Sequence, residues 1–413
     1  MIASPLAPPV TFGLSFNDFY DREGLSRLDA IFVAWLKDAN PDAHGRLLTA
    51  RAAPDGLAAK DESNLLIELA RPLEDFVGAL FGVAAEAAAL RARHTTLAPL
   101  YDCKRLFVQR YVTRAIKAEA AAALDGATVT ANVGLPFETA GLEAWELRFA
   151  LRVCELIGAE FKVEAPTPEV TALAEYAAWA LHHPEGKRRH HDGPLFKVPH
   201  KLDFEHLVPI ETEIVDGVTR MRLPRPMLRH REGFALTDHG FDLGRALDHA
   251  NYCIWCHNQG KDSCSRGLKD RKTGAFQKSP FGVTLAGCPL EEKISEMNLL
   301  KAEGFSIGAL AIAAVDNPLL AATGHRICND CMKACIYQKQ EPVDIPQIET
   351  RTLKDVLALP WGFEIYSLLT RWNPLNLRRP IPRPATGRTV LVVGLGPAGF
   401  NLAHHLMNDG HAV

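Results

Sequence analysis

Apolar residues recur with the period of an α-helix through most of the first 200 positions. In "GLSRLDAIFVAWLKDA" this period produces the stripe Leu28, Ile31, Phe32 and Leu36. Such spacing predicts an amphipathic helix. Similar stretches follow, and Pro72 predicts the end of one helix and the start of another. Thr167 and Pro168 are residue types preferred at a helix N-cap and in a first helical turn.

The helical period is lost in "EGKRRHHDGPLFKVPHKLDFEH", a polar and basic stretch that predicts a loop or a domain boundary. Its histidines, together with the two just before it, are interpreted as solvated loop residues rather than metal ligands: His182, His183, His190 and His191. Further on, "IETEIVDGVTRMRL" alternates between apolar and polar residues on both sides of Asp216-Gly217. That pattern predicts a β-hairpin.

The last residues, "RTVLVVGLGPAGFNLAHHLMNDGHAV", read as a strand, a glycine turn and a helix. This is the context of the dinucleotide-binding fingerprint, in which the glycines allow a tight turn, close approach of a pyrophosphate and close helix packing. The predicted cofactor-binding residues are Gly394, Gly396, Pro397, Ala398 and Gly399. The acidic residue expected about 20 residues later would follow Val413, so we expect a fragment of a longer protein.

The predicted fold is mainly α, with five segments along the chain. They are a helical domain of unknown role (1–200), a β-hairpin and linker segment (201–245), an α-helical cysteine-rich domain (246–360), a proline-rich linker (361–386) and the truncated start of a Rossmann-type domain (387–413).

The net charge of −3 with 23% charged residues argues against a nucleic-acid-binding protein. No apolar run approaches the roughly 18–20 residues of a membrane span, and no signal peptide is recognisable at the N-terminus. We therefore expect a cytoplasmic protein without a membrane span. In that compartment thiols stay reduced, so clustered cysteines indicate metal ligands rather than disulfides.

Seven of the nine cysteines lie between residues 253 and 335. The other two, Cys103 and Cys154, are predicted core residues. The seven clustered cysteines form two C-x2-C pairs, each followed by a third cysteine, and one further cysteine lies between these two sets. They are Cys253, Cys256, Cys264, Cys288, Cys328, Cys331 and Cys335.

Three close cysteines with a fourth from a distant segment are typical of 4Fe–4S clusters, and proline directly after Cys288 matches cluster motifs. Structural zinc is the alternative, although zinc sites usually pair C-x2-C knuckles that are closer in sequence. Seven cysteines are one short of the eight ligands that two clusters need. Either one site has another donor, or only one cluster exists.

From about residue 250 to 413 the chain resembles the small (β) subunit of glutamate synthase and the N-terminal part of dihydropyrimidine dehydrogenase. The landmarks are "CIWC", "GCPLEEKISEMNLLKAEGFSIGALAIAAVDNPL", "TGHRICNDCMKAC", "PVDIPQIE" and "GPAG". The resemblance implies a helical domain with two 4Fe–4S clusters, followed by FAD and NAD(P)H domains. The first 245 residues carry no such resemblance.

The family interleaves its cluster ligands between two sequence blocks. Carried over, this implies one cluster bound by Cys253, Cys256, Cys264 and Cys335. It implies a second bound by Cys288, Cys328, Cys331 and an oxygen-bearing side chain after the last cysteine. Glu349 stands at that place, with Gln347 as the alternative.

Two spacings depart from the family. Seven residues separate Cys256 from Cys264, and twenty-three separate Cys264 from Cys288, both longer than the family has. The longer insertion is basic, so we expect an exposed loop that serves either as a docking surface for an electron partner or as a cover on a cluster.

The resemblance implies an oxidoreductase module that passes electrons from NAD(P)H and FAD through two 4Fe–4S clusters to a protein partner or a further domain. No residue of the chain is predicted to be an acid–base or nucleophilic catalyst. The alternative is a zinc-stabilised helical scaffold that binds a partner and has no redox activity.

Overall fold

The computed structural model of the chain describes residues 10–136 and 141–413. It is 58% helix and 4% strand, which confirms the predicted mainly α fold. Within these residues, no helix combines the length and the apolar character needed to cross a membrane.

The helices of the first half are α1 (Arg22–Ala39), α2 (Pro41–Ala52), α3 (Ala59–Phe81), α4 (Ala84–Asp102), α5 (Thr113–Ala115), α6 (Ala118–Ala122), α7 (Gly126–Val133), α8 (Leu142–Ile157), α9 (Pro168–His182) and α10 (Pro184–Arg189). A π-helix, Cys103–Val112, continues α4. Short 3₁₀ turns lie at Phe16–Tyr20 and Pro54–Gly56.

The second half begins with the antiparallel hairpin β1 (Glu211–Val215) and β2 (Val218–Arg222). Its helices are α11 (Leu243–Tyr252), α12 (Ser263–Arg266), α13 (Ile294–Glu303), α14 (Ser306–Asp316), α15 (Leu320–Ile327), α16 (Asp330–Ala334), α17 (Ile345–Leu357), α18 (Gly362–Leu369) and α19 (Pro397–Asn408). Two further 3₁₀ turns are Arg225–Met227 and Cys256–Gln259.

The first hydrophobic core joins the N-terminal helices to the cysteine-rich region. α14 lies at its centre and is buried along almost its whole length. It packs against α3 from the N-terminal region and against α13 and α17 from its own. Burying an apolar helix on all sides is the expected fate of a sequence such as "SIGALAIAAV".

A carboxylate from the N-terminal region caps α14. Phe305, at the N-cap position of α14, has no side-chain acceptor to offer. Instead, Glu74 of α3 accepts hydrogen bonds from the backbone N–H groups of Ile307 (2.9 Å) and Gly308 (3.3 Å). Arg91 of α4 donates to the other oxygen of Glu74 at 2.8 Å. This contact satisfies helix-end donors that would otherwise be buried without partners.

The second core is built by α8, α9 and the π-helix, with Trp145, Phe149 and Trp179 fully buried. α11 contributes Leu247 to this core, while Ala250 near its end belongs to the first core. α11 therefore connects the two cores and leads directly to Cys253. That the five predicted segments are independently folding units stays a prediction.

The interpretation of His190 as a solvated loop residue is wrong. Its side chain is buried, with Nδ1 at 2.9 Å from Glu146 Oε1 and Nε2 at 2.9 Å from the Tyr176 hydroxyl. The carboxylate that makes this burial possible comes from α8, more than forty residues earlier. His191 is exposed, as interpreted.

Among the local predictions, the hairpin at Asp216-Gly217 is confirmed, since both residues have the positive φ (52° and 79°) of a type I′ turn. The Thr167 cap is also confirmed, because its hydroxyl accepts from Val170 N–H at 3.3 Å. The predicted helix break at Pro72 is wrong: α3 runs through it. Burial of most of α3 outweighs one missing backbone hydrogen bond.

A second polar contact between the two halves lies deep in the first core. Lys301 of α13 and Asp355 of α17 form a buried ion pair, and the Lys301 amine also donates to His94 Nε2 at 3.1 Å. His94 Nδ1 donates to Leu90 O at 2.8 Å. Burial, and then the neighbouring Lys301 charge, lower the pKa of His94 to about 4.

The Glu74 contact predicts a large effect of a single substitution. Glu74→Ala leaves two buried α14 N–H groups without their acceptor and removes the nearer of the two carboxylates on Arg91, and we expect a loss of about 3 kcal/mol in the free energy of unfolding. The matched control is Asp75→Ala, which removes an exposed carboxylate that also contacts Arg91, at 3.3 Å. Urea unfolding should show a control effect below about 0.5 kcal/mol; equal effects would contradict the capping role.

His94 predicts a loss of stability in acid. Its pKa is lower in the folded chain than the ordinary value of 6.5, so the unfolded chain binds more protons between about pH 4 and 6.5. Stability should therefore fall as the pH drops through that window, by up to about 3 kcal/mol. Urea unfolding as a function of pH should give a shallower dependence for His94→Asn, whereas His191→Asn should keep the wild-type dependence.

Candidate metal centres

Four cysteines from two sequence blocks lie beside the first core. They are Cys253 at the end of α11, Cys256 in the following 3₁₀ turn, Cys264 in α12, and Cys335 at the end of α16. All four are buried.

Cys335 interacts electrostatically with each thiol of the earlier block. The Cys264 thiol donates a hydrogen bond to the Cys335 sulfur, which lowers the pKa of Cys335 to about 7. Burial, with a smaller contribution from the Cys335 charge, raises the pKa of Cys253 to about 11 and that of Cys256 to about 12. Cys335 therefore lies close to all three members of the earlier block.

Two features around the four thiols are typical of a cluster-binding site. Asn298 of α13 is fully buried, its amide lies against Cys253, and neither its nitrogen nor its oxygen has a conventional hydrogen-bond partner in the described residues. An amide N–H beside thiolate ligands is the kind of donor that tunes an iron–sulfur cluster. Trp255, between the two cysteines of the C-x2-C pair, has a φ of 50°, an uncommon backbone conformation that is often associated with functional sites.

His257, which follows Cys256, is buried. Its backbone N–H donates to Ser295 Oγ at 3.1 Å, and its ring Nδ1 contacts the same hydroxyl. The ring therefore anchors the C-x2-C turn to α13. The turn also contacts α3 of the N-terminal region.

The remaining predicted ligands form a second group. The charges of Glu349 and Cys288 both act on Cys331, whose pKa burial raises well above its ordinary value. Burial raises the pKa of Cys288 to about 11. Cys328 is exposed at the edge of the group, and its charge contributes to the raised pKa of Glu349.

Glu292, which was not among the predicted ligands, completes this second group. Burial raises the pKa of Glu349 well above its ordinary value, and the adjacent Glu292 carboxyl, hydrogen-bonded to it, raises it further. Neither carboxyl forms an ion pair within the described residues, and the two are hydrogen-bonded to each other. The signal available in the sequence was the acidic pair in "CPLEE".

Gln347, the alternative eighth ligand, has another partner. Its side-chain oxygen accepts from the backbone N–H of Phe241 at 2.9 Å. Glu349, whose charge acts on both Cys288 and Cys331, is therefore the better candidate.

The two groups are neighbours but share no predicted ligand. Cys331 and Cys335 lie within and at the end of the same short helix, α16, which packs against α12 and its Cys264. The backbone N–H of Cys288 donates to the carbonyl of Cys264 at 2.8 Å, so the first ligand of the second group starts beside the first group.

Within residues 10–136 and 141–413, no three His, Cys, Asp or Glu side chains are arranged around one point as ligands of a single metal ion. The donor chemistry does fit the predicted clusters: one group of four thiols, and one of three thiols with a buried carboxyl. Thiolates are the ligands that iron–sulfur clusters require.

The predicted strand before the glycine turn is an extended segment with one isolated parallel bridge, between Thr389 and Ala412. Val390 N–H donates to Ala412 O at 2.7 Å, which pairs the two extended segments in parallel around α19. Gly394 has a φ of 106°, and a Cβ at Gly399 would lie 2.0 Å from the Gly394 carbonyl oxygen. The backbone conformation of the turn therefore requires glycine at both positions.

Gly396 is different, because a Cβ placed there would meet no atom within 4 Å. No side chain caps α19, which starts at Pro397 and exposes the N–H groups of Ala398 and Gly399. An uncapped helix N-terminus behind an unobstructed glycine fits the pyrophosphate of a dinucleotide.

Comparison with known proteins adds relatives for both halves. A family model described as the RP005 N-terminal alpha-helical domain matches residues 10–82. The Rickettsia prowazekii protein RP005 is 29% identical over 306 residues, which span 71% of this chain and 98% of RP005. The N-terminal helices, which carried no resemblance at the level of motifs, therefore have relatives. That family model is not one of iron–sulfur proteins.

A second R. prowazekii protein, RP006, is 62% identical over 95 residues. The glutamate synthase (NADPH) small chain of Mycobacterium tuberculosis is 35% identical over 128 residues, or 31% of this chain. That of Bacillus subtilis is 35% identical over 130 residues. The chain covers 14% of RP006 and 23% of the M. tuberculosis protein. No solved structure gives a significant match.

These comparisons support part of the resemblance described above. The chain has a distant relationship, over less than a third of its length, to the small chain of an oxidoreductase.

The glycine turn predicts opposite outcomes for two alanine substitutions. Gly399→Ala should destabilise the α19 region by about 1–3 kcal/mol, because the new Cβ overlaps the Gly394 carbonyl. Gly396→Ala should leave stability within about 0.5 kcal/mol of wild type. Hydrogen exchange of the α19 amides measures both; equal destabilisation would mean that Gly396 has a structural role.

Proposed function

We propose that this chain is the electron-transfer module of an NAD(P)H-dependent flavin and iron–sulfur oxidoreductase of the cytoplasm. It would hold two 4Fe–4S clusters and the start of an FAD domain, and would deliver electrons to a protein partner or a further domain. When bound, the flavin and the clusters supply the conversion of hydride equivalents into single electrons.

One observation supports the proposal. Cys335 acts electrostatically on the thiols of the earlier block, whereas the buried carboxyl of Glu349 and the thiol of Cys288 act on Cys331. This is the interleaved division that the family resemblance implies, and the distant similarity to glutamate synthase small chains agrees with it.

The chain's own residues provide burial, orientation and hydrogen bonding. Asn298 is positioned to donate to the sulfur of Cys253, and Ser295 holds the C-x2-C turn through His257. α3 packs against that turn. Such groups set the potential of a cluster by controlling its hydrogen bonding and exposure.

Metal analysis of protein purified anaerobically tests the proposal. We expect about eight irons and eight sulfides per chain and a broad absorption near 400 nm that bleaches on reduction. A colourless protein with stoichiometric zinc would contradict the proposal and favour the scaffold alternative. Bound FAD is quantified in the same samples.

Substitutions of single ligands test whether the two groups bind iron independently. Cys335→Ser should remove about four irons per chain, and Glu349→Ala should make the other cluster labile, since each removes one ligand from one group only. Cys154→Ser, a half-buried cysteine outside both groups, should keep the full iron content. Loss of all iron in each variant would mean that the groups are not independent sites.

A further inference from the structure

The long insertion between Cys264 and Cys288 is folded rather than irregular. We call residues 265–287 the basic hairpin. Leu268 N–H donates to Leu285 O at 2.9 Å, and Gln277 N–H donates to Leu268 O at 2.8 Å. Beyond them, Ser279 N–H donates to Val283 O at 2.8 Å and closes the tip. The segment therefore folds back twice and holds its shape through its own backbone.

The base of the basic hairpin is tightly closed. The hydrogen bond from Cys288 N–H to Cys264 O spans it. Gly287 has a φ of 84°, and a Cβ there would lie 2.5 Å from Gly267 N. The insertion thus leaves and re-enters the domain at one point, and that point carries one predicted ligand from each metal group.

The basic hairpin concentrates positive charge. Five basic residues and one acidic residue give it a net charge of +4, in a chain whose net charge is −3. The acidic residue, Asp270, is occupied by its own turn, where it accepts from the N–H groups of Lys272 and Thr273. Arg266 contacts Glu291 at 3.8 Å. The other cations form no ion pair with a described residue: Lys269, Arg271, Lys272 and Lys278.

Aromatic side chains are exposed among these charges. Phe281 is 64% and Phe276 43% exposed, and the Lys269 amine lies 5.3 Å from the centre of the Phe276 ring. A cover over a cluster would turn such rings inward, whereas a docking surface presents them outward. Exposed rings surrounded by unpaired cations are typical of a surface that awaits an anionic protein partner.

We propose that the basic hairpin is the docking surface for an acidic one-electron carrier protein. This inference rests on the proposed function, because it uses the position of the hairpin beside both metal groups. Docking there brings the carrier's metal centre toward Cys264 and Cys288, one predicted ligand from each group. The transfer moves one electron, oxidises a reduced cluster and reduces the carrier, and makes or breaks no bond.

A charge-neutralising variant tests the surface on the full chain. The four cations without an ion pair are changed in Lys269→Gln, Arg271→Gln, Lys272→Gln and Lys278→Gln together. The matched control changes four exposed lysines elsewhere to Gln: Lys37, Lys117, Lys162 and Lys187. The probes are a strongly acidic plant-type 2Fe–2S ferredoxin, the basic carrier cytochrome c, and a single-stranded oligonucleotide of the same charge as the ferredoxin.

Direct binding by calorimetry at low ionic strength is measured first. We expect the hairpin variant to bind the acidic ferredoxin about tenfold more weakly than the wild type, and the control variant to bind it normally. The difference should shrink at high salt, where the Debye length falls to a few ångströms. Cytochrome c should not respond to the substitutions.

Three outcomes would overturn the proposal: equal ferredoxin binding by hairpin variant and wild type, an equal loss in the control variant, or oligonucleotide binding as tight as ferredoxin binding. Iron content is recorded for every sample. If the clusters are present but ferredoxin binding does not depend on the hairpin, only the docking proposal is wrong. If the clusters are absent, the proposed function is wrong, whatever the binding shows. A second variant, in which residues 268–285 are replaced by Gly-Gly, should keep its iron because the base is already closed.

Discussion

The capping of α14 by Glu74 is the contact on which the arrangement of the cysteine-rich region depends. α14 is the apolar centre of the first core, and α13 and α17, which pack on it, carry Asn298 and Glu349 to the metal groups. The end of α14 cannot satisfy its own backbone donors, so it relies on a carboxylate from the N-terminal helices. The N-terminal region is thus structurally part of the cysteine-rich unit, joined again by the buried Lys301–Asp355 pair and His94.

That dependence gives the N-terminal helices a physical role next to the candidate chemistry. α3 both caps α14 and contacts the turn that carries Cys256. The segment that includes α3 matches the RP005 N-terminal helical domain. Covering a metal site with a separate helical layer limits its exposure to water, and solvent exposure is one of the factors that sets a cluster's potential.

Local patterns in the sequence predicted the features that depend on few neighbours. The helical period, the Thr167 cap and the Asp216-Gly217 turn follow from residues close in the chain. Features that depend on distant partners could not be predicted. His190 is buried because Glu146 reaches it from another helix, and Pro72 is tolerated because both sides of α3 are packed. Glu292 gains its significance from Glu349, on a helix more than fifty residues later.

The family resemblance divides the cysteines into two sets of ligands, and the electrostatic neighbours of the thiols agree with that division. The insertion that made the ligand assignment less family-like turns out to close at its base, so its length does not disturb the position of Cys288 next to Cys264. The two groups differ in donors, since one has four thiols and the other has three with a carboxyl. A carboxylate in place of a thiolate changes the electron density at one iron and should distinguish the two sites spectroscopically.

The central claim is that the fold builds two separate four-iron sites with different donor sets. Mössbauer spectroscopy of the chain assembled with ⁵⁷Fe tests it most directly. The account predicts two cluster components of equal intensity, one of which contains a single iron with an isomer shift typical of oxygen ligation. A single component with four cysteine-ligated irons, or no iron–sulfur signal at all, would contradict it.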